Sequence, residues 1–481
     1  MRIAENYLAM GAKRVAVLDH GKSNVKLFIC SKSGDVIDSR STRNVSIESK
    51  NWRHTDLIGI NEWVFSTLAE LNQNHSIGDI IVSAHGSGGV LVGDRNEVVG
   101  DGALVPMIDY EQELPEDVAM AYENIEASYL DRGSALMMGA SHVARQLFWI
   151  ETELPEAIKH ARWFLCLPQY WAWRMSGVAV SEFTILGAQS HLWNVPQSSW
   201  TELVRDRNWQ RILPPITSSD TVIGKIRPEL AEKYSLSPDI KVHAGVHDSS
   251  ANFYSYRSLG VDEFTVVSTG TWTVALARGF DPLQLTEALG MTCNSDPFGN
   301  PVCGALTMAG REYETIAGVQ PAGARADLSV IQELVLQGTM VLPSLSDDNG
   351  QFPGSARSGK IVGPKPDTQE QRLALAIIHS ALLTVECANT LGPDRTWILD
   401  GSYLQEPLYA SMVNSIRSIT APNAKTFINE VADGLSRGAV ALCYPSTVLP
   451  PTLEHPSKLD KVQGLKKYVE DWQRLTRERV E

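Results

Sequence analysis

The sequence predicts an α/β protein made of two related halves. Segments with the apolar pattern of strands alternate with segments that repeat apolar residues at helical spacing, which is typical of an α/β fold. A unit of strand, polar tip with one glycine and second strand occurs twice, near residues 15–30 and 263–277. The length of 481 residues is enough for two or three domains, at roughly 150 residues per domain.

The first half opens with a predicted β-hairpin. Strand 15–19 runs through a polar tip, 20–24, into strand 25–30, and a turn follows at 33–35. A helix is predicted over 56–71, where apolar residues recur every three or four positions. We then expect a strand followed by three helices, at 79–84, 136–150, 154–160 and 164–175.

The second half returns to strands. Strand 239–244 leads into residues 245–248, and a helix begins at about residue 249. The second hairpin consists of strand 263–267, tip 268–271 and strand 272–277. We then expect a long helix, a strand with a glycine turn, and another helix, at 370–391, 397–402 and 406–418.

The change of pattern places a domain boundary near residue 242. We therefore predict an N-terminal domain over 1–242, a C-terminal domain over 243–455 and a charged surface helix over 456–481.

Composition excludes several classes of protein. The chain has 42 basic and 56 acidic residues, and the resulting net charge of −14 argues against a nucleic-acid scaffold. None of the six cysteines forms a Cys-x-x-Cys pair, so we expect buried thiols and no zinc ribbon. Residues 1–14 lack the apolar core of a signal peptide, and no apolar run of 18 residues follows. We expect a cytoplasmic protein that binds neither nucleic acid nor membrane.

The tip of the first hairpin is the first candidate for chemistry. Backbone amides at a glycine tip can face a phosphate, and the carboxylate of Asp19 can hold Mg²⁺. Gly21, Lys22 and Ser23 resemble part of a P-loop, but Ala16 stands where that motif needs glycine, and a strand follows. A plain hairpin turn is the alternative.

Residues 268–272 form the second candidate. Gly270 and Thr271 correspond to Gly21 and Lys22 when the sequences of the two hairpins are aligned. Either tip alone is more often a simple turn than a site. Two such tips, half a chain apart, favour a pair that binds the phosphates of one nucleotide from both sides.

The ends of two further strands carry the remaining candidates for chemistry. His247 and Asp248 close a strand where a helix begins, so Asp248 is either a general base towards a hydroxyl or only a helix N-cap. Gly401 and Ser402 follow another strand, where a glycine lets a flat base lie against the backbone. A strand-to-helix turn explains the latter equally well.

The order of these motifs resembles that of the FGGY carbohydrate kinases, over about residues 14–445. The most specific parts are Gly-x-His-Asp at 245–248 and Ser-x-Gly-Thr-Trp at 268–272, which are similar to the rhamnulokinase and fuculokinase side of the family. The resemblance implies two actin-like, ribonuclease-H-like domains around a central cleft. It also implies transfer of the γ-phosphate of ATP to a sugar hydroxyl with Mg²⁺.

The resemblance assigns roles to individual residues. Asp248 matches the catalytic base, and Asp19 matches the residue near Mg²⁺. The cofactor-binding positions implied are Asp19, Gly21, Lys22, Ser23, Asn24, Gly270, Thr271, Gly310, Gly401 and Ser402. The sugar-binding positions implied are His85, Gly86, Asp109, His247 and Asp248.

This sequence departs from the family at several places, among them Lys22 and Asn24, which stand where threonine or serine is usual. The turn at 400–402 is Asp-Gly-Ser where three glycines are common, and Tyr110 and Glu111 replace the usual residues after Asp109. The expected substrate is a 6-deoxy ketose such as L-rhamnulose or L-fuculose, and the family suggests a homodimer. The competing hypotheses are a catalytically inactive relative that binds or regulates, and another actin-like ATPase.

Overall fold

The computed structural model describes residues 13–94, 100–257, 259, 263–321, 323–429, 431, 433–459 and 462–480. The expectation about the N-terminus falls mainly on residues 1–12, which lie outside this set. The longer helices are α1 (Leu57–Asn74), α2 (Val143–Glu153), α3 (Pro155–His160), α4 (Leu167–Ser176), α5 (Asp248–Ser255), α6 (Ala309–Ala317), α7 (Leu328–Gln337), α8 (Gln369–Asn389), α9 (Pro407–Thr420), α10 (Gly434–Cys443) and α11 (Leu465–Val480).

The chain forms two compact units. The first comprises Met1–Leu259, Cys293–Pro301 and Asp433–Pro450, and the second comprises Gly260–Thr292, Val302–Ala432 and Pro451–Glu481. The chain therefore changes unit after residue 259 and not after 242. Asp248 belongs to the first unit, because α5 packs against α10 so closely that a Cβ on Gly438 would overlap the carbonyl group of Ala251.

A seven-stranded mixed sheet forms the centre of the first unit. Its strands are β1 (Arg14–His20), β2 (Asn24–Cys30), β3 (Val36–Arg43), β4 (Ile77–Ala84), β5 (Val222–Lys225), β6 (Lys241–His243) and β7 (Val246–His247). The order across the sheet is β5-β6-β4-β1-β2-β3, and β7 also pairs with β4. β1 and β2 are antiparallel, while β1, β6 and β7 all run parallel to β4, so the first predicted hairpin is confirmed.

Most strands of a six-stranded sheet form the centre of the second unit. Its strands are β8 (Phe264–Thr269), β9 (Thr273–Ala277), β10 (Met291–Ser295), β11 (Pro301–Thr307), β12 (Thr396–Gly401) and β13 (Thr426–Ile428). Their order is β10-β11-β9-β8-β12-β13, with β8 antiparallel to β9 and parallel to β12. The second predicted hairpin is confirmed.

The two hairpins occupy equivalent places in their sheets, which supports the predicted repeat. In each unit the first hairpin strand pairs with its own return strand on one side and with a later parallel strand on the other. The tips differ in length: His20 pairs with Val25, whereas Thr269 pairs with Thr273, so the second tip is one residue shorter.

Two of the predicted helices begin later than the sequence pattern indicated. Residues 136–142 are not helical: the backbone N–H of Met137 donates to the ring of His142, and helix α2 starts only at Val143. Residues 164–166 belong to a strand, Trp163–Cys166, and α4 starts at Leu167 with proline in its first turn.

The remaining elements are short. Three two-residue ladders join Ser46–Ile47 to His54–Thr55, Ser181–Glu182 to Ile216–Thr217 and Trp193–Asn194 to Ser199–Trp200. Two longer ladders join Gly89–Val92 to Trp163–Cys166 and Met340–Leu342 to Lys360–Val362. Short helical segments lie at Glu116–Glu123, Tyr129–Arg132, Phe183–Leu186, Glu202–Asp206, Trp209–Ile212, Pro228–Lys233, Pro282–Gln284, Glu287–Leu289 and Ser402–Gln405.

Helix α8 is the core helix of the second unit. A capping box at Thr368 and Gln371 fixes its start. Every residue of 373–385 is buried, so all sides of the helix are covered by other parts of the protein. By length and composition alone this helix could cross a membrane, but 83% of its most apolar window is buried within the protein. It is the only described helix that passes that test.

The charged tail forms helix α11, although the helix begins at Leu465 rather than 456. Its apolar face is not at the surface: Tyr468 and Trp472 are buried and donate to the carbonyl oxygens of Thr339 and Val341. The tail is therefore part of the second unit's core. All six cysteines are free thiols, and five of them are buried.

Candidate active site

Three parallel strands of the first unit end side by side. β4 lies between β1 and β7, so that Ser83 is level with both Asp19 and Val246, and Ala84 is level with His20 and His247. Ligands of open α/β sheets bind beyond the carboxyl ends of such strands. The register therefore brings together the predicted residues Asp19, His85 and Asp248, each at or just after the end of one strand.

Asp248 is the first residue of helix α5 rather than its N-cap. Its Oδ1 accepts from the backbone N–H and the hydroxyl of Ser249, and Nε2 of His247 lies 3.1 Å away. No described residue donates to Oδ2, and 28% of the side chain is exposed. One carboxylate oxygen is thus anchored and the other can accept a proton from a bound hydroxyl.

His247 fixes the position of the Asp248 carboxylate. The ring is buried, which lowers its pKa, so we treat it as neutral with its proton on Nε2, facing Oδ1 of Asp248. Its backbone N–H donates to Oγ1 of Thr184 at 2.8 Å, and Ser250 contacts Nδ1. His247 therefore positions the candidate base.

A buried carboxylate supports this arrangement from a place that the sequence did not indicate. Glu182 is fully buried and accepts from the backbone N–H groups of Thr184 and Ile185 and from the hydroxyls of Thr184 and Ser219. Burial raises the pKa of Glu182 to about 7, against the effect of these four donors. The chain of contacts runs from Glu182 through Thr184 to the backbone of His247.

Asp19 is a partly buried carboxylate with no hydrogen-bond donor among the described residues. Burial and the negative charge of Asp248 raise its pKa to about 7, while Lys26 acts in the opposite direction. A lone carboxylate of this kind suits Mg²⁺, which binds proteins through one or two carboxylates and takes its other ligands from phosphates and water. No group of three or more acidic, histidine or cysteine ligands occurs in the described part of the chain.

The first tip is less open than the sequence suggested. The backbone N–H of Gly21 is not free, because it donates to the carbonyl oxygen of Asn24 at 3.0 Å. Ser23 and Asn24 are exposed, whereas the ammonium group of Lys22 lies 2.5 Å from Oδ1 of Asp109. Lys22 therefore links the tip to the segment around Asp109.

Asp109 is buried and accepts four hydrogen bonds. Lys22 Nζ and the backbone N–H of Glu111 donate to Oδ1, while Ser46 Oγ and Arg53 Nε donate to Oδ2 at 2.6 and 2.8 Å. Together they hold the pKa of Asp109 well below its usual range, although burial raises it. All its acceptor positions are used, so Asp109 orients Lys22 and Arg53 and has none left for a sugar hydroxyl.

Arg53 and Ser46 were missed by the sequence analysis. Both lie in a polar stretch between β3 and α1 that has no periodicity and no motif, so no local signal marks them. Hydrogen bonds of the Arg53 backbone to Asp109 and Gln112, and of the Ser46 hydroxyl to Asp109, bring them to the site.

His85 and Gly86 lie where the resemblance implied, beside His247. A Cβ on Gly86 would be 3.0 Å from the carbonyl oxygen of Ala188 and 3.4 Å from Nε2 of His247, so glycine permits this close approach. The ring of His85 lies 5.3 Å from that of Tyr110. Burial lowers the pKa of His85 to about 4, and because Nδ1 accepts from the N–H of Ser87, its proton is on Nε2.

The second unit gathers the other predicted residues. Gly310, in the first turn of α6, packs directly on the second tip, and its N–H donates to the carbonyl oxygen of Thr271 at 3.0 Å. A Cβ on Gly310 would overlap the carbonyl oxygen of Gly270, whereas a Cβ on Gly270 would meet nothing within 4 Å. The tip is thus closed on the helix side and open on the other.

The turn at 400–402 adjoins the same tip. Gly401 has φ +103°, and a Cβ there would overlap the carbonyl oxygen of Thr269. Ser402 Oγ donates to that oxygen, and Oγ1 of Thr269 donates to the carbonyl oxygen of Asp400. The second unit therefore brings Gly270, Thr271, Gly310, Gly401 and Ser402 to one edge of its sheet.

Comparisons with known proteins agree with the two-unit arrangement. The model of the FGGY family of carbohydrate kinases, N-terminal domain, matches residues 15–253, and the model of the carbohydrate kinase FGGY C-terminal domain matches 261–451. The chain is 23% identical over 296 residues to the L-fuculokinase of Escherichia coli K12, covering 59% of this chain and 60% of that protein. It is 24% identical over 264 residues to a xylulose kinase of Staphylococcus epidermidis, covering 54% and 52%. The matched stretches thus span about three fifths or half of these relatives.

Solved structures match over nearly the whole chain. A carbohydrate kinase from Novosphingobium aromaticivorans superimposes with a TM-score of 0.81 and 26% identity, covering 97% of this chain and 99% of that one. A ligand-bound xylulose kinase from Lactobacillus acidophilus gives a TM-score of 0.74 at 17% identity, covering 97% and 96%, which is a likeness of fold alone.

Proposed function

Because this chain belongs to the FGGY family of carbohydrate kinases, we propose that it transfers the γ-phosphate of ATP to a hydroxyl of a small sugar. The observation that supports this best is Asp248, whose Oδ1 is anchored by Ser249 and His247 and whose Oδ2 has no donor among the described residues. That geometry suits a base that takes the proton of the attacking hydroxyl.

Phosphoryl transfer requires positioning and charge neutralisation more than covalent chemistry. In this proposal His85, which is half-buried, and His247, which is buried, are both neutral and orient the sugar and the base without adding charge. Lys22 adds a cation at the first tip, and Asp109 fixes its place. Oδ2 of Asp248 accepts the hydroxyl proton as the sugar oxygen attacks phosphorus.

The nucleotide is assigned to the edge of the second unit. The open face of Gly270 and the exposed Ser402 are accessible to a ligand, while Gly310 and Gly401 let the backbone segments approach closely. Asp19 would hold Mg²⁺, and the ion when bound neutralises charge on the phosphates. The lone carboxylate of Asp19 supports this assignment.

For the acceptor we propose a ketose, with 6-deoxy ketoses such as L-rhamnulose or L-fuculose favoured. The similarity to a protein named L-fuculokinase supports this choice, and the similarity to one named xylulose kinase makes pentuloses the next class to test. We also infer a cytoplasmic enzyme that acts as a homodimer, which light scattering of the purified protein tests.

The deciding experiment is ADP release with ATP and Mg²⁺ across a panel of ketoses, aldoses and polyols. We expect release with one sugar, reduced at least about 100-fold in turnover in Asp248→Asn. Asp239→Asn is the matched control, because Asp239 is exposed, forms a surface ion pair with Lys225 and lies before the start of β6.

Near-normal turnover in Asp248→Asn would remove Asp248 from the role of base. Release that ignores every sugar would indicate an ATPase. Binding of ATP and sugar without any release would indicate the inactive relative.

A further inference from the structure

Arg53 is held rigidly beside the proposed site. Its backbone N–H donates to Gln112 Oε1 at 2.9 Å, and its carbonyl oxygen accepts from the backbone N–H of Asp109 and from Nε2 of Gln112. Its side chain is fixed as well, because Nε donates to Oδ2 of Asp109 at 2.8 Å. Both ends of the residue are therefore oriented by the same short segment.

The two terminal nitrogens of Arg53 have no hydrogen-bond acceptor among the described residues. A guanidinium group carries five N–H donors in a rigid plane, and Asp109 uses only the one on Nε. Among the described residues, no acceptor contacts either terminal nitrogen, and 31% of the side chain is exposed. The structure thus holds an oriented two-pronged donor that nothing in the described chain satisfies.

Contacts connect this donor to the proposed base. Asp109 binds Arg53 through one oxygen and Lys22 through the other, and Lys22 lies 5.4 Å from the centre of the Tyr110 ring. Tyr110 in turn lies against His85, whose neighbour Gly86 approaches His247. Arg53 therefore belongs to the same cluster as His247 and Asp248.

The charges of the cluster indicate what the donor binds. Lys22 and Arg53 are matched by the carboxylates of Asp109 and Glu111, the latter 3.9 Å from Lys22. With Asp248 also near His85, the site has no surplus of positive charge for an anionic substrate. The ligand must accept hydrogen bonds without bringing a charge, as hydroxyl and keto oxygens do.

We propose, on the basis of the proposed function, that the terminal nitrogens of Arg53 bind two neighbouring oxygens of the sugar, away from the hydroxyl that is phosphorylated. Arg53 is then a specificity-determining residue: it favours acceptors with adjacent oxygens at that place. A sugar that lacks one of them leaves a donor unsatisfied and binds more weakly.

The test is the affinity of the accepted sugar in the absence of nucleotide, measured by calorimetry, beside the KM values for sugar and ATP. The main variant is Arg53→Lys, which keeps a cation beside Asp109 and loses the fork, that is, the pair of terminal guanidinium nitrogens. We expect a rise on the order of 10- to 100-fold in the sugar Kd and KM, from the loss of charged hydrogen bonds, with the KM for ATP unchanged.

Ser46→Ala is the matched control. Ser46 donates to the same oxygen of Asp109 as Arg53 does, but it offers the sugar no second donor. We expect it to raise the sugar Kd less than about threefold. An equal rise in both variants would show that Arg53 acts only through Asp109, and would overturn the proposal.

Monodeoxy analogues of the accepted sugar give a second readout. One of them should lose affinity for the wild-type protein and not for Arg53→Lys, because the fork is already absent there. If every analogue loses the same affinity for both proteins, the fork does not contact the sugar.

The outcomes separate this proposal from the proposed function. ADP release with an unchanged sugar Kd in Arg53→Lys would refute the fork and leave the kinase. Sugar binding that weakens in Arg53→Lys, without any ADP release from the wild type, would refute the kinase and leave the fork. Absence of both binding and release across the panel would overturn both.

Discussion

The contact between Gly310 and the second tip gives a sharp test of the second unit. In Gly310→Ala the added Cβ would lie 2.5 Å from the carbonyl oxygen of Thr271 and would also overlap that of Gly270. Ordinary contact begins at about 3.4 Å, so the tip must move by just under 1 Å. Backbone atoms on both sides leave no side chain that could rotate away.

Two opposing effects set the magnitude. Overpacking of this kind costs roughly 1–3 kcal/mol, and the absence of a movable side chain favours the upper end. Alanine in place of glycine within a helix stabilises by about 1 kcal/mol. We therefore expect the free energy of unfolding to fall by about 1–2 kcal/mol, which corresponds to a decrease in Tm of about 2–8 °C for a unit of this size.

The assay combines thermal unfolding with ADP binding, and Gly270→Ala is the control. A Cβ on Gly270 meets nothing within 4 Å, so this variant should keep the wild-type Tm while its nucleotide affinity falls. Gly310→Ala should lower both. If Gly310→Ala is as stable as the wild type or more stable, the close packing of α6 on the tip is refuted.

Two further predictions concern the support beneath His247. In Thr184→Val the backbone N–H of His247 loses its acceptor inside the protein, so the free energy of unfolding should fall by about 1–3 kcal/mol and turnover should fall with it. Thr184→Ser keeps the hydroxyl and should retain most of the turnover. Equal loss in both variants would contradict the hydrogen bond. Because burial raises the pKa of Glu182 from 4.5 to about 7, the folded protein keeps a proton there that the unfolded chain has lost. Stability should therefore fall by up to about 3 kcal/mol from pH 4.5 to 7, and Glu182→Gln should flatten this slope in denaturant titrations at several pH values; an unchanged slope would contradict the raised pKa.

Local patterns predicted the parts of the fold that depend on neighbouring residues. Both hairpins and the start of α5 follow from strand and tip signals within a few residues, and α1 follows from its apolar spacing. Helix 136–150 failed at its start: the backbone N–H of Met137 donates to the ring of His142, and residues 136–142 form no helix. No helical periodicity in the sequence shows such a bond.

The candidate site was predictable only where it lies on strand ends. Asp19 and Asp248 are each marked by a strand that stops, whereas His85, just after the end of a third strand, is indicated by the family resemblance. Arg53 and Glu182 carry no such mark, because the donors and acceptors that define them come from segments distant in sequence, such as 109–112 and 219. The predicted domain boundary differs from the division of the chain for the same reason: α5 belongs to the first unit through its packing on α10, far along the chain, and against β4 and β7.

The two repeats place the same pair of side chains in exchanged positions. In the first unit Asp19 on the hairpin strand is level with Ser83 on the parallel strand, and in the second Ser268 on the hairpin strand is level with Asp400. Asp19 is partly exposed and has no donor in the described part of the chain, whereas Asp400 is fully buried and accepts from the N–H of Gly401 at 2.6 Å and from Asn429. One carboxylate is available to a cation and the other holds a turn.

This exchange predicts opposite effects of the same substitution. Asp400→Asn replaces an acceptor of two donors inside the second unit, so the free energy of unfolding should fall by about 1–3 kcal/mol. Asp19→Asn removes a carboxylate that burial and Asp248 disfavour, so stability at pH 8 should hold or rise while Mg²⁺-dependent ADP release is lost. Chemical unfolding of both variants, with ADP release measured over a range of Mg²⁺ concentrations, compares them directly. A destabilised Asp19→Asn that still responds to Mg²⁺ as the wild type does would mean that the first repeat, too, uses its carboxylate to hold the fold.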